Sequence, residues 1–222
     1  MVRLLKSGHV ELTALFGNLT TELCGHEALA RATYHAARLA RKYDVPIVSA
    51  EHNDIPGFAW GLSEVLAAAG VRMFCPGLPL YYAWGGASYP SFWDERGVFG
   101  RAGIPGAFWW ESPSGRRILF WCNNRGCGGD YRSSLPGLPE KLRDFKEKGY
   151  PFDVLRWPVS GGARDNSPYI PDYAETIRNW NRKWTWPRLV SSTNARFYSD
   201  LTRRCDLTQL PVRRGDVPGQ DY

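Results

Sequence analysis

Long apolar runs are missing from this chain. No stretch of its 222 residues approaches the ~18 consecutive apolar positions of a membrane-crossing helix, and Met1 does not open the charged and apolar regions of an export signal. The expectation is a protein without a membrane span, placed in the cytoplasm. Paired cysteines are missing too: the five, at 24, 75, 122, 127 and 205, include no C-x-x-C pair, which argues for reduced thiols and against a disulfide framework or a structural zinc cluster. Basic residues form no block. The net charge is +6, but Lys and Arg are interleaved with 22 acidic residues, so the charge reads as a solvated surface rather than a nucleic-acid face. The glycines of residues 123–129 lack the Lys-Ser/Thr and the following helix of a phosphate cradle. No internal repeat is present.

What remains is an ordinary globular composition, 43% hydrophobic and 23% charged, of a length that suits one α/β domain spanning residues 1–222. Aromatic residues are abundant at 14%, with 10 Trp. Cores absorb most such rings, while Trp and Tyr also make platforms for sugar faces.

Periodicity predicts the order of elements. Residues 1–10 read as the last turns of a helix stopped at Gly8, with no cap before residue 1, which suggests a chain that starts within a domain. Strands are predicted over 10–16, 45–50, 71–75, 152–159, 187–191 and 210–213, and helices over 26–43, 60–70, 138–148, 171–184 and 195–205. Residues 107–112 and 117–122 flank Pro-Ser-Gly-Arg as a β-hairpin. Residues 76–105, rich in Gly, Pro, Tyr and Trp, read as a long functional loop or lid. Alternating strands and helices with an inserted hairpin imply an α/β fold on a mainly parallel sheet, open or part of a barrel.

Two carboxylates follow predicted strands: Asp54 after 45–50 and Asp165 after 152–159. In a parallel sheet both project from one rim, and a pair of acids on one rim permits glycoside hydrolysis. An Asp in such a loop also serves as a helix cap or an Asx turn, and spacing alone favours the cap. His52 stands two residues before Asp54, so a His-x-Asp metal pair is geometrically open, but one pair supplies too few ligands. His9, His26 and His35 read as solvated or capping residues. Glu51 and Glu111 are further acids whose simplest role is pairing with nearby Arg.

The stretch Asn53-Asp-Ile-Pro-Gly-Phe-Ala-Trp-Gly-Leu62 and the Val-Leu-Ala-Ala-Ala-Gly-Val-Arg-Met-Phe that follows it resemble the nucleophile segment of the family 38 glycoside hydrolases, the class II α-mannosidases, in their divergent bacterial branch. Further pieces match in order: Gly8-His-Val-Glu-Leu, Cys24-Gly-His-Glu-Ala-Leu, Phe108-Trp-Trp-Glu-Ser-Pro-Ser-Gly, Asp165-Asn-Ser-Pro, Ile177-Arg-Asn-Trp-Asn and Leu210-Pro-Val-Arg-Arg-Gly-Asp. The resemblance implies part of an irregular seven-stranded β/α barrel, a zinc ion and retaining hydrolysis of α-mannosides. It implies Asp54 as nucleophile and zinc ligand, Asp165 as general acid/base, and Trp60, Trp110 and Asn166 as substrate-binding residues. The family's His-x-Asp zinc pair would precede Met1 and its last zinc histidine would follow Tyr222, so Asp54 is the one ligand of four expected here. The animal enzymes read Asp-Pro-Phe-Gly-His-Ser where this chain has Asp54-Ile-Pro-Gly-Phe-Ala. The expected partner is a carbohydrate, with no nucleic acid or membrane. Metal-dependent polysaccharide deacetylation and non-catalytic carbohydrate binding stand as the alternatives.

Overall fold

The structure, a computed structural model, describes residues 1–53, 55, 57–77, 107–121, 135–147, 150–156 and 171–217. Five strands form one sheet: β1 (Ser49–Asn53), β2 (Met73–Gly77), β3 (Ala107–Glu111), β4 (Arg117–Trp121) and β5 (Val212–Arg213), in spatial order β1-β2-β4-β3-β5. Among the described residues three strand pairings are parallel and the β3–β4 hairpin is antiparallel. Among the described residues the sheet is open rather than closed on itself. The fold is thus mixed α/β on a mostly parallel sheet, with the hairpin inserted as its sequence predicts; the hairpin turns at Gly115, whose φ of 82° needs a residue without Cβ.

Alternation along the strands sorts the core into two layers. Ala50, Phe74, Phe108, Trp110, Ile118 and Phe120 face one side, where helices α2 (His26–Ala32) and α4 (Trp60–Ala68) cover them with Leu29, Leu62 and Leu66. Met73, Cys75, Ala107, Leu119 and Trp121 face the other side and meet Phe152, Leu207, and Phe197 and Leu201 of α7 (Asn194–Arg204). Burial on both faces is why these strands read as unbroken apolar runs rather than alternating ones. A third, smaller cluster joins α5 (Leu138–Glu147) to α6 (Tyr173–Lys183) through Leu138 and Tyr173. Among the described residues the other α-helices are α1 (Val2–Lys6) and α3 (Tyr34–Tyr43). No helix of the described residues is long and apolar enough to cross a membrane.

Several expected elements differ, each for a visible reason. Residues 10–16 form no strand: the Ala14 N–H donates to Ser49 O at 2.9 Å but the Phe16 N–H donates to Ala32 O, so the segment divides its bonds between two partners and no ladder forms. The helix expected over 26–43 is two helices, broken at Thr33, whose backbone N–H and hydroxyl both donate to Ala30 O, at 3.1 and 2.8 Å. Strand β1 starts at Ser49 rather than residue 45, because the Val48 carbonyl accepts from both Arg72 and Met73 and pairing begins with Ser49 opposite Met73. Residues 187–191 are not a strand either: the Asn181 side chain takes both the N–H and the C=O of Leu189, the groups a ladder would need. Among 152–156 no strand forms, and the Val154 carbonyl accepts from the Tyr150 hydroxyl. The rest of that expected strand and the long loop of 76–105, beyond β2's end at Gly77, lie outside the described residues.

Candidate active site

Strand β1 ends at Asn53, so Glu51, His52 and Asn53 belong to the strand and Asp54 is the next residue of the chain. Asp54, Asp165 and Asn166 themselves lie outside the described residues. What is described is the framework on either side of Asp54, and its two faces differ sharply.

On one face, Ser49, Glu51 and Asn53 enter a polar network. Asn194, the first residue of α7, donates from Nδ2 to Glu51 Oε2 at 2.9 Å and accepts at Oδ1 from Arg156, whose Nε lies 3.0 Å away. The Arg156 guanidinium is also 3.9 Å from Glu51. Glu11 closes the network from below, accepting from the Ser49 hydroxyl at 2.5 Å and from the Ala195 N–H in the first turn of α7 at 2.6 Å. A carboxylate at a helix start satisfies an orphan donor and opposes the helix dipole favourably. The Asn53 N–H is held at 3.1 Å by Asn18 Oδ1. Cys75, opposite Glu51 in the neighbouring strand, is fully buried, and burial pushes its thiol up to about 12, so it is an inert thiol at neutral pH.

On the other face, His52 is 0% exposed and sits between Phe58 and Phe74, with ring centroids 6.1 and 5.9 Å away. Neither ring nitrogen has a hydrogen-bond partner among the described residues. Burial lowers its pKa to about 4, with the Gly17 backbone opposing part of the shift, so the ring is neutral at ordinary pH. Glu51 and His52 therefore point to opposite faces, and no group of three or more His, Cys, Asp or Glu that could hold a metal exists among the described residues. The described residues do not make a zinc site.

After Asp54 the chain is fixed at several points. The Phe58 N–H and C=O pair with Val217 at 2.8 and 2.9 Å, the Ala59 N–H donates to Thr21 Oγ1 at 2.9 Å, and the Trp60 N–H donates to Asp216 Oδ1 at 2.7 Å. Gly57 sits at φ +95°, a backbone conformation that a side chain would strain, and the Glu22 carboxylate lies where its Cβ would be. Trp60 is half-buried and its indole N–H donates to the Glu111 carbonyl at 2.7 Å. Trp110 is 0% exposed, stacked 6.2 Å from Phe74, with its indole N–H on Gly215 O; as placed here its ring has no face open to a sugar. Glu111 is buried and pairs with Arg117 and Arg214, which hold its carboxyl below the usual carboxylate range. That pairing is the role its sequence neighbours suggest.

The anchors Thr21, Asp216, Arg156 and Asn194 are invisible in the sequence, since they stand 38 to 156 positions from their partners. Of these, Asp216 ends one of the pieces quoted for the family resemblance, Leu210-Pro-Val-Arg-Arg-Gly-Asp. His9, His26 and His35 play local parts: His9 bonds the Ser7 hydroxyl, His26 packs on Gly61, and His35 meets the Phe16 ring.

No protein-family model matches the sequence, and no curated protein matches it. Solved structures do. An α-mannosidase from Enterococcus faecalis V583 superposes with a TM-score of 0.68 at 14% identity over 97% of this chain, which spans 23% of that structure. A protein in the Glycosyl Hydrolase Family 38 from Enterococcus faecalis gives 0.59 at 11% identity over 96% of this chain and 21% of its own. A 4-alpha-glucanotransferase from Thermococcus litoralis gives 0.53 at 14% identity, covering all of this chain and 31% of its own. This chain thus has a fold similar to a stretch, about a fifth to a quarter in length, of an α-mannosidase and of a protein in the Glycosyl Hydrolase Family 38.

Proposed function

We propose that this chain is the nucleophile-bearing part of a glycoside hydrolase catalytic domain that cleaves α-mannoside-type bonds with retention of configuration, within an irregular seven-stranded β/α barrel. The observation that supports the reading is the likeness in fold to an α-mannosidase along 97% of the chain, with β1 ending immediately before Asp54. In this proposal Asp54 attacks the anomeric carbon while Asp165 gives its proton to the departing glycosidic oxygen. A glycosyl ester on Asp54 results. Asp165, now a carboxylate, takes a proton from water, whose oxygen attacks the anomeric carbon and returns Asp54 to its ionised form. Asn166 and Trp60 belong to the proposed sugar contacts; Trp110 belongs to the core.

Zinc belongs to the proposal only through Asp54. One carboxylate is a single ligand where a zinc site needs three or four, so no step is routed through the metal. The test is turnover of an aryl α-mannoside by the intact protein that carries this chain, supplied with zinc. Release of the aryl alcohol by the native protein and its loss, by about a thousandfold or more, in Asp54→Asn agrees with a nucleophile role. Glycan binding that ignores both Asp54→Asn and a chelator would instead favour a non-catalytic carbohydrate-binding protein, and acetate release from an acetylated sugar would favour a deacetylase.

A further inference from the structure

We infer that Asp216 is a positioning residue for Asp54: it caps α4 and holds residues 57–60, on which the setting of position 54 depends. The inference rests on the proposed role of Asp54. Helix α4 begins with Ala59 as its N-cap, which has no side-chain oxygen, and its first turn holds no acidic residue. The helix therefore lacks the local acceptor that a Ser, Thr, Asp or Asn would supply. Two distant side chains fill the gap. Asp216 Oδ1 accepts from the Trp60 N–H at 2.7 Å and Thr21 Oγ1 accepts from the Ala59 N–H at 2.9 Å.

Asp216 is itself held in place. Its neighbour Val217 is fully buried and exchanges both backbone bonds with Phe58, while the Gly215 carbonyl accepts from the Trp110 indole at 3.0 Å and Arg214 pairs with Glu111. Trp60 closes the circuit by donating its indole N–H to the Glu111 carbonyl, on the same strand as Trp110. The turn after β1, the segment 214–217 and the end of β3 thus form one ring of bonds. Position 54 lies between Asn53, fixed by Asn18, and Ile55, which is 9% exposed and packed in the core. Displacement of a reacting group by about 1 Å lowers a rate by up to a hundredfold, so whatever holds the residues that follow Asp54 bears on the rate.

The test compares Asp216→Ala, which removes the acceptor, with Asp216→Asn, which keeps an oxygen and removes the charge. Amide hydrogen exchange at Ile55, Phe58, Ala59 and Trp60 should quicken about tenfold in Asp216→Ala, the size of a lost cap, and stay near native in Asp216→Asn. In aryl α-mannoside turnover kcat should fall about tenfold or more in Asp216→Ala with KM little moved. Asp200→Ala, which removes an exposed ion pair on α7, should leave kcat and these amides unchanged. Native-like exchange at the four amides in Asp216→Ala overturns the inference, as does quickened exchange with a native kcat. A native protein that leaves the mannoside untouched instead sinks the functional proposal, and the exchange comparison still decides whether Asp216 holds the turn.

Discussion

The two faces of β1 teach different things about this molecule. Ala50 and His52 look into a layer of Phe58, Phe74, Phe108, Trp110 and Phe120, closed to solvent and packed by both edge-to-face and stacked ring contacts. Ser49, Glu51 and Asn53 look the other way, into side-chain hydrogen bonds that reach Glu11, Arg156 and Asn194. The first face supplies stability, because dispersion and apolar burial are proportional to contact and need no particular partner. The second supplies direction, because each of its bonds names one donor and one acceptor.

The sharpest way to break this comparison is to empty the apolar side. Phe120 is 0% exposed and touches Phe58, Phe74, Phe108 and Trp110. Phe120→Ala should destabilise the protein by about 3–5 kcal/mol in denaturant unfolding; a shift below about 1 kcal/mol would mean the aromatic layer is not the main core.

A second consequence concerns pH. The folded His52 has its pKa lowered to about 4 from an ordinary 6.5, because burial disfavours the imidazolium. Above pH 6.5 both folded and unfolded forms are neutral and the stability is at its full value. As pH falls from 6.5 toward 4 the unfolded state takes up the proton and the folded state does not, so stability drops by up to about 3 kcal/mol and then levels off. Unfolding free energies across that range should show the slope, and His52→Phe should flatten its His52 part.

The polar side should give less. Asn194→Ala leaves Glu51 and Arg156 without the side chain that bridges them, and should cost about 1–3 kcal/mol, the penalty for partly buried groups losing a partner. Asn194→Asp, which keeps an acceptor for Arg156 but repels Glu51, should fall between the native and alanine forms. The smallest effect belongs to a pair on neither face: Arg31 and Glu27, an exposed i,i+4 pair on α2, should contribute only about 0.3–0.5 kcal/mol when Arg31→Ala is compared with the native protein.

How much of this was legible in the sequence depends on the range of the interaction. The hairpin, the helices 60–68, 138–147, 173–183 and 194–204, and the stop at Gly70 (φ +84°) were legible within a residue or two, because periodicity and a glycine past the helix end are local signals. The strands expected over 10–16 and 187–191 failed because an apolar run says nothing about who takes its backbone groups; Ser49, Ala32 and Asn181 take them here. His52 shows the same limit from the other direction. Its neighbours in sequence, Glu51 and Asn53, suggest a polar site, whereas alternation along β1 turns it into the aromatic layer. Trp110 was expected at a sugar face and lies instead inside that layer. The anchors of the turn after Asp54 come from Thr21 and Asp216, at separations where no periodic pattern reaches.

The account stands or falls on the stereochemistry of the first product. Proton NMR of an aryl α-mannoside during its earliest turnover by the intact, zinc-supplied protein should show the α-anomer of mannose appearing before mutarotation, as an enzyme-bound ester on Asp54 requires. A β-anomer formed first, or no mannose at all, would contradict it.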